Sequence, residues 1–598
     1  MIPNIALAFS GGGFRAAAFS LGTLSYLQRL NLGGTPLTRN ISYIVSTSGG
    51  TITNLLYTAA MHRGDSFDTF YDDLKSKLNG EDLLEYVLSV LNDDNAWDNS
   101  NNGKRRNLIN AFAKAYDEKW FNGETMEVYS NKEHVRNFEV CCNATEFFRG
   151  LTFRFQTNGT RSYSQLIGNY YMKFDVTRLA TFQKIKLADV LAASSCFPLG
   201  LEPMMFPEDF TYKDQGGGGL TAQELREAFL YRDYEEAERR LSDPSVLRSF
   251  GLMDGGITDN QGLKSLMLAD ERRRRKRKPD PFDLMIVTDV SSYFMDYYEV
   301  PEPKEAEGWR GKNIDHYVKV FQNVARYPRL FQYLALLIAL GSIITGIVSA
   351  NPYVRFPALI VGGISSMIFM LIWIIRRWPV TRELLKQPEK FDPLATLRRA
   401  LPLESFSDHI ISKILDYLRF TKLNVLEQML KARISSVMSM VLDVNLKQVR
   451  RLIYEMFYTD PCWDDRRVPN FIYELSRYNQ ASRNNRFRDP KRLGWTSTED
   501  DRLLLTGNLD NLAEMAEQAR LMGTTLWFDR KHSGEDQLAN IIKTGQFTTC
   551  MNLLEYVISL ERKKVALNEE YRKGLKQLKE QLVADINRFK NDPGFLFR

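Results

Sequence analysis

Cysteine is scarce: five residues in 598 (Cys141, Cys142, Cys196, Cys462 and Cys550), odd in number and never in a C-x-x-C or His/Cys zinc-ligand spacing. That argues against a disulfide framework and a structural zinc site, and predicts a reducing compartment and no structural metal. No secretory leader is expected, because Met1 is followed almost at once by the apolar run Ile5 to Phe9 and then by glycines, without a basic start or a cleavage site. The N-terminal part is therefore expected in the cytoplasm. Charge of one sign is not in excess, with 79 Lys+Arg against 73 Asp+Glu, too small a surplus to imply nucleic acid. No internal repeat or long low-complexity tract breaks the chain. Histidine is rare: His62, His134, His316, His409 and His532 all fall in polar or helical stretches, none at a strand end beside glycines.

The long hydrophobic runs are confined to one place. Leu330 to Ala350 and Phe356 to Ile375 carry no charge, and each has about the 20 residues a helix needs to cross a hydrocarbon core. Between them lies Asn351-Pro352-Tyr353-Val354-Arg355, read as a tight link between antiparallel helices. Arg326 and Arg329 precede the pair and Arg376 and Arg377 follow it, which places both outer ends on the cytoplasmic side, with Arg355 dissenting. A buried hairpin in a large soluble core is the alternative.

Elsewhere the pattern begins strand, glycine turn, helix, strand: residues 4 to 9, then Ala16 to Leu30, then Ile41 to Val45. This is the start of a parallel α/β sheet. Residues 62 to 135 read as a helical insertion. Strands resume at Phe138 to Cys142 and Leu151 to Gln156, a helix is expected around Leu187 to Ser195, and a glycine run at Gly216 to Gly219 precedes another helical segment. Asp283 to Val290 is a further strand, and beyond the hairpin the pattern reads as helical to the end.

Three segments carry chemistry. Ser10-Gly11-Gly12-Gly13-Phe14-Arg15 lies between the first strand and the first helix, where free N–H groups and a helix N-terminus favour negative charge, as a phosphate cradle or an oxyanion hole. Gly11-x-Gly13-x-x-Ala16 also satisfies a relaxed dinucleotide fingerprint, but the ribose-binding acid that fingerprint needs after the second strand is missing. That strand ends instead in Ser46-Thr47-Ser48-Gly49-Gly50, close to the G-x-S-x-G of a nucleophile elbow, with Ser46 in place of the first glycine. Ser48 at the turn is the candidate nucleophile and Ser46, inside the strand, the lesser one; an ordinary Ser-Gly-Gly turn is the competing reading. Leu252 to Asn260 sets Asp254 before Gly255 and Gly256, a carboxylate at a sharp loop or a plain Asp-Gly turn. With an ordinary pKa of about 4, such a carboxylate needs a dry pocket to act as a base.

Taken in order, Ser10 to Arg15, Ser46 to Gly50 and Asp254-Gly255-Gly256 resemble the signature of patatin-like phospholipases in their bacterial-type form. Asn143-Ala144-Thr145 and Ala192 to Pro198 resemble that family's intermediate segments. The resemblance spans roughly residues 4 to 292. It implies a three-layer α/β/α sandwich with a mainly parallel central sheet, and a Ser/Asp dyad in which no histidine is needed. Ser48 would attack the acyl carbonyl, Asp254 would take its proton, and the N–H groups of Gly11, Gly12 and Gly13 would hold the oxyanion. Arg15 would brace the loop or meet a phosphate. No cofactor or metal is implied.

The combined expectation is a membrane-anchored serine acyl hydrolase of phospholipids or lysophospholipids, multi-pass in the inner membrane with its catalytic part in the cytoplasm. A catalytically degenerate lipid-binding or scaffold protein is the alternative. The expected organisation is a catalytic domain over 1–300, a membrane region over 301–390, a helical region over 391–548 packing on the catalytic domain, and one long C-terminal helix over 549–598. Arg272, Arg273, Arg274, Arg275, Lys276, Arg277 and Lys278 form a basic cluster, read either as a solvated helix end or as a patch for anionic lipid headgroups. A nucleic-acid role is disfavoured, since no basic face accompanies it. From Leu553 to Phe589 apolar residues recur every three or four positions; that stripe either packs on its own domain or makes a coiled-coil contact in a homo-oligomer.

Overall fold

The computed structural model describes residues 4–78, 81–97, 104–135, 138–157, 167–198, 200–213, 218–231, 249–291, 308–377, 408–489, 495–523, 528, 536–563 and 569–597. Gly216 and Gly217 of the glycine run, all of 391–407, and Leu567 of the C-terminal stripe lie outside them. The chain divides into two compact units, one formed by 1–295 with 442–598, the other by 296–441.

An eleven-stranded sheet organises the first unit. Its strands are β1 (Ile5–Phe9), β2 (Ile41–Thr47), β3 (Glu139–Glu146), β4 (Leu151–Gln156), β5 (Ile167–Gly168), β6 (Met172–Phe174), β7 (Met204–Phe206), β8 (Phe229–Tyr231), β9 (Phe250–Asp254), β10 (Leu284–Asp289) and β11 (Arg467–Phe471). The centre, β3-β2-β1-β10-β11, is parallel, and the remainder is antiparallel. Strand β1 shows why the layers are three. Ile5, Leu7 and Phe9 enter one core while Ala6 and Ala8 enter another, so both faces are covered, as the period of two requires of a fully buried strand.

On the first face lie α1 (Gly13–Arg29), α2 (Gly49–Arg63) and the insertion helices α3 (Phe67–Lys77), α4 (Glu81–Asn92) and α5 (Leu108–Tyr116). Helix α6 (Leu187–Ser194) follows on the same core, and α7 (Gly256–Asp259) is a single turn after β9. On the second face lies α8 (Leu263–Arg274).

The second unit holds α9 (Ile314–Arg326), α10 (Pro328–Val348), α11 (Pro352–Arg377), α12 (Asp408–Phe420) and α13 (Leu423–Ser439). Arg329–Val348 and Pro352–Ile374 have mean hydropathies of 2.0 and 2.1, yet only 22% and 11% of these windows are buried. That is opposite to what a hairpin in a soluble core would show. The link differs from the expected one: Ser349 to Asn351 alone connects the helices, because Pro352 occupies the first helical position, where its missing N–H costs nothing. Arg355 therefore stands in the first turn of α11.

Residues after 442 return to the first unit as α14 (Leu446–Thr459) on the second face, β11, and the first-face helices α15 (Asp510–Leu521), α16 (Gln537–Arg562) and α17 (Glu569–Asn591). Two expectations are corrected here, and one pair of alternatives is decided. The C-terminal region is not wholly helical, since β11 extends the sheet beside β10; with Pro469 in it and alternate residues half exposed, it has the character of an edge strand and lacked an apolar run. The long C-terminal helix is two helices, the first ending where Lys563 turns extended. The stripe on α17 is spent within the unit: Leu575, Leu578, Leu582, Ile586 and Phe589 are buried in the first core, and Asp585 takes a two-pronged bond from Arg29.

The basic cluster is only partly on the surface. Arg273 is 1% exposed, bonded to Glu139, Asn4 and Ser42 and seated over the Phe282 ring. Arg272 pairs with the same Glu139, and Arg274 with Asp270. A seven-residue anionic-lipid patch is therefore not what the fold presents: helical periodicity turns Arg273 inward, and only Arg275, Arg277 and Lys278 are exposed.

Candidate active site

The site is built where two strands meet on one edge of β3. Strand β2 runs along that edge in parallel and ends with Thr47 opposite Asn143. Strand β9 comes down the same edge from the other direction and ends with Asp254 opposite Ala144, the next residue. Strand β4 occupies the other edge throughout, so β2 and β9 have no alternative but to face end to end. Neighbouring positions along a strand are about 3.3 Å apart, so Ser48 and Asp254 leave the sheet at nearly the same level.

Ser48 has φ 51° and ψ −125°, the positive-φ turn of a nucleophile elbow at a residue that is neither Gly nor Asn. Such a conformation costs on the order of 1–3 kcal/mol and persists only when its surroundings enforce it. They do so through Ser194: its hydroxyl accepts the Ser48 N–H (3.0 Å), meets the Thr51 hydroxyl (2.8 Å) and donates to the Asn143 carbonyl (2.7 Å). Ser46 is excluded as an alternative, being fully buried between the Thr51 hydroxyl and the Asn54 amide.

Gly49 shows how tightly the glycine loop lies against the elbow. A Cβ there would stand 1.9 Å from the Gly13 carbonyl oxygen, so no side chain fits. The loop and the elbow thus bring the N-termini of α1 and α2 together, a setting that favours an anion. The three expected donors are not equivalent. The Gly11 N–H is committed to the Asn260 carbonyl at 2.9 Å, which removes Gly11 from the oxyanion set. Gly12 and Gly13 donate to no partner among the described residues. Arg15 is buried and donates to the carbonyl of Met522 just past α15, and burial lowers its pKa to about 10. It braces the loop.

Asp254 is 4% exposed, and burial lifts its carboxyl from 3.8 to about 6, against the opposing pull of the Ser48 hydroxyl and the Gly256 N–H, which donates at 2.6 Å. This is the dry pocket a carboxylate base needs. Its backbone is held on both sides, the N–H by the Cys196 carbonyl (2.9 Å) and the C=O by the Thr145 hydroxyl (2.9 Å). Below it Asp259, buried on α7, accepts from the Asn143 amide and the Ser265 N–H, while its carbonyl accepts from Thr47. Among the described residues no cluster could hold a metal ion.

Asn143 to Thr145 and Ser194 to Cys196, noted in sequence only as intermediate segments, are thus the clamps that hold the elbow and the acid loop. Asn260 carried no sequence signal of its own beyond following the acid loop. Nor did Asp289 at the end of β10, which accepts from Arg450 (2.6 Å) and Tyr454 (2.7 Å) on α14 and so ties the late part of the chain to the site.

The family model of patatin-like phospholipases matches residues 7–267. Among solved structures, human GIVD cytosolic phospholipase A2 is similar at 14% identity and a TM-score of 0.30, over 49% of this chain and 46% of that one. The chain thus spans less than half the length of that protein, and a likeness of this degree carries no weight for function. Comparison with curated proteins returned no match. Resting on the family match and the geometry around β3, the conclusion is that the chain carries, over residues 7–267, a patatin-like phospholipase domain, the domain of a family of lipid ester hydrolases.

Proposed function

We propose that this chain is a membrane-anchored lipid acyl hydrolase, of phospholipase A or lysophospholipase type, working through a Ser48/Asp254 dyad. The observation that carries the reading is the end-to-end meeting of β2 and β9, which sets a strained serine against a buried carboxylate of raised pKa. In the proposed reaction Ser48 Oγ attacks the ester carbonyl carbon as its proton passes to Asp254. The carbonyl oxygen becomes an oxyanion, taken by the Gly12 and Gly13 N–H groups at the N-terminus of α1. Collapse expels the lysolipid alkoxide, which receives the proton from Asp254, and leaves an acyl-Ser48 ester. Water then attacks that ester, Asp254 accepting its proton and returning it to Ser48 Oγ as the fatty acid leaves. A carboxylate of pKa about 6 suits both transfers near neutral pH.

Anchoring rests on α10 and α11, two long apolar helices whose side chains stay largely uncovered. The flanking arginines support a cytoplasmic position for the catalytic part; the inner membrane as the site of the hairpin is part of the same proposal. The test is fluorophosphonate labelling of the full chain in detergent, with fatty-acid release followed by lipid mass spectrometry. Wild type should be labelled at Ser48, and Ser48→Ala and Asp254→Asn should each lose release by at least about a thousandfold. Normal release by either variant defeats the dyad, and an unlabelled, inactive wild type favours a degenerate scaffold.

A further inference from the structure

Asn260 lies at the centre of the site without a part in the acylation step. Its carbonyl receives the Gly11 N–H, and its side-chain Nδ2 donates to Ser291 Oγ at 3.1 Å. Ser291 is itself fixed, its N–H donating to Asp289 Oδ1 at 2.8 Å, while Asp289 Oδ2 is gripped by Arg450 and Tyr454. With Nδ2 so engaged, the amide cannot turn over freely, and Oδ1 faces the other way.

That oxygen lies near both members of the dyad. A methyl group built on Gly11 would be 2.4 Å from Asn260 Oδ1 and 3.2 Å from Ser48 Cβ; one built on Gly256 would be 2.8 Å from the same Oδ1 and 2.9 Å from Asp254 Oδ1. Asn260 and Gly256 are both partly open to solvent, and no donor among the described residues reaches Asn260 Oδ1. The site therefore offers two neighbouring acceptors, an amide oxygen and a carboxylate, and a molecule bridging both must carry two hydrogens. The Ser48 hydroxyl and a lysolipid hydroxyl each carry one. Water carries two.

Building on the dyad reading, we propose that Asn260 Oδ1 and Asp254 together hold the hydrolytic water, so that Asn260 serves deacylation and not acylation. One O–H of the water points to Asp254 and the other to Asn260 Oδ1, which leaves an oxygen lone pair for the acyl-Ser48 carbonyl carbon. As the new C–O bond forms the first proton goes to Asp254; the C–O bond to Ser48 then breaks, Ser48 Oγ takes that proton, and the free acid retains the second hydrogen. The arrangement orients the nucleophile once the lysolipid has left.

The test uses the full chain in detergent with a short-chain chromogenic ester at pH 8. Asn260→Ala leaves the backbone carbonyl that holds Gly11, so fluorophosphonate labelling of Ser48 should stay within about threefold of wild type. Steady-state turnover should fall by about 30- to 100-fold, the order expected for a misplaced reactant, with acyl-Ser48 accumulating in intact-protein mass spectra. Asn260→Asp keeps an acceptor oxygen and should recover most of the deacylation rate. Labelling and turnover falling in parallel in both variants would mean a structural role and overturn the proposal, as would two variants that both turn over normally. A wild type that is never labelled at Ser48 removes the dyad reading itself; a labelled wild type with unaltered variants removes only the role of Asn260.

Discussion

Replacing Asp254 by Asn should make the protein inactive and, at neutral pH, more stable. The folded carboxyl titrates near 6 against an ordinary 3.8 because burial disfavours its charge, and at 1.36 kcal/mol per unit that displacement is worth about 3 kcal/mol. The sign follows from the direction. A raised folded pKa means that the native state prefers the neutral acid, so this contribution to stability is complete below about pH 4 and is lost as pH rises through 6. Asparagine has no charge to desolvate and can still accept the Gly256 N–H. Its advantage over wild type should therefore grow with pH, from about 1.6 kcal/mol at pH 5 to about 3 kcal/mol at pH 8, above any constant offset from the substitution. Urea denaturation of both full chains in the same detergent, followed by near-ultraviolet circular dichroism at the two pH values, measures it. An advantage that is the same at pH 5 and pH 8 would mean that the carboxyl carries no charge penalty in the fold. On the proposed dyad, the same group sets an acid limb in kcat/KM near pH 6, about two units above where an ordinary carboxylate would set it.

Gly49→Ala should separate the glycine loop from the elbow by more than about an ångström and cost on the order of a hundredfold in kcat/KM, with circular dichroism unchanged. Arg273→Leu leaves Glu139 buried with only Arg272 as a cationic partner, and should lower the unfolding free energy by about 3 kcal/mol, read by the same urea titration. Exchanging the exposed Arg275 for Gln should leave that stability within about 0.5 kcal/mol. Deleting residues 330–375 should move the protein from carbonate-resistant membranes to the soluble fraction; retention in the pellet would contradict the anchoring role of α10 and α11.

Features written in short stretches of chain were legible from the residues alone. Gly49 and Gly50 directly after Ser48 permit a turn that side chains forbid, Gly11 to Gly13 open a helix, and two charge-free runs have the length of a bilayer; each follows from local stereochemistry or composition, and each is found where the residues placed it. Other features belong to the tertiary structure because they depend on what is brought alongside. Asp254 acquires the raised pKa that the proposed base needs only when β9 meets β2 on the edge of β3 and water is excluded around it. Gly11 ceases to be an oxyanion donor because the Asn260 carbonyl reaches its N–H from far along the chain, and Arg15 turns inward to Met522 for the same reason. The basic run at 272–278 looked like a surface until helical phase and the distant Glu139 drew Arg273 inside. Strand β11, polar and carrying a proline, had no pattern to betray it, since an edge position relieves it of the apolar character that marks the central strands. Sequence periodicity records which local conformations are permitted; desolvation and hydrogen bonding across the sheet decide which of the permitted groups become chemistry.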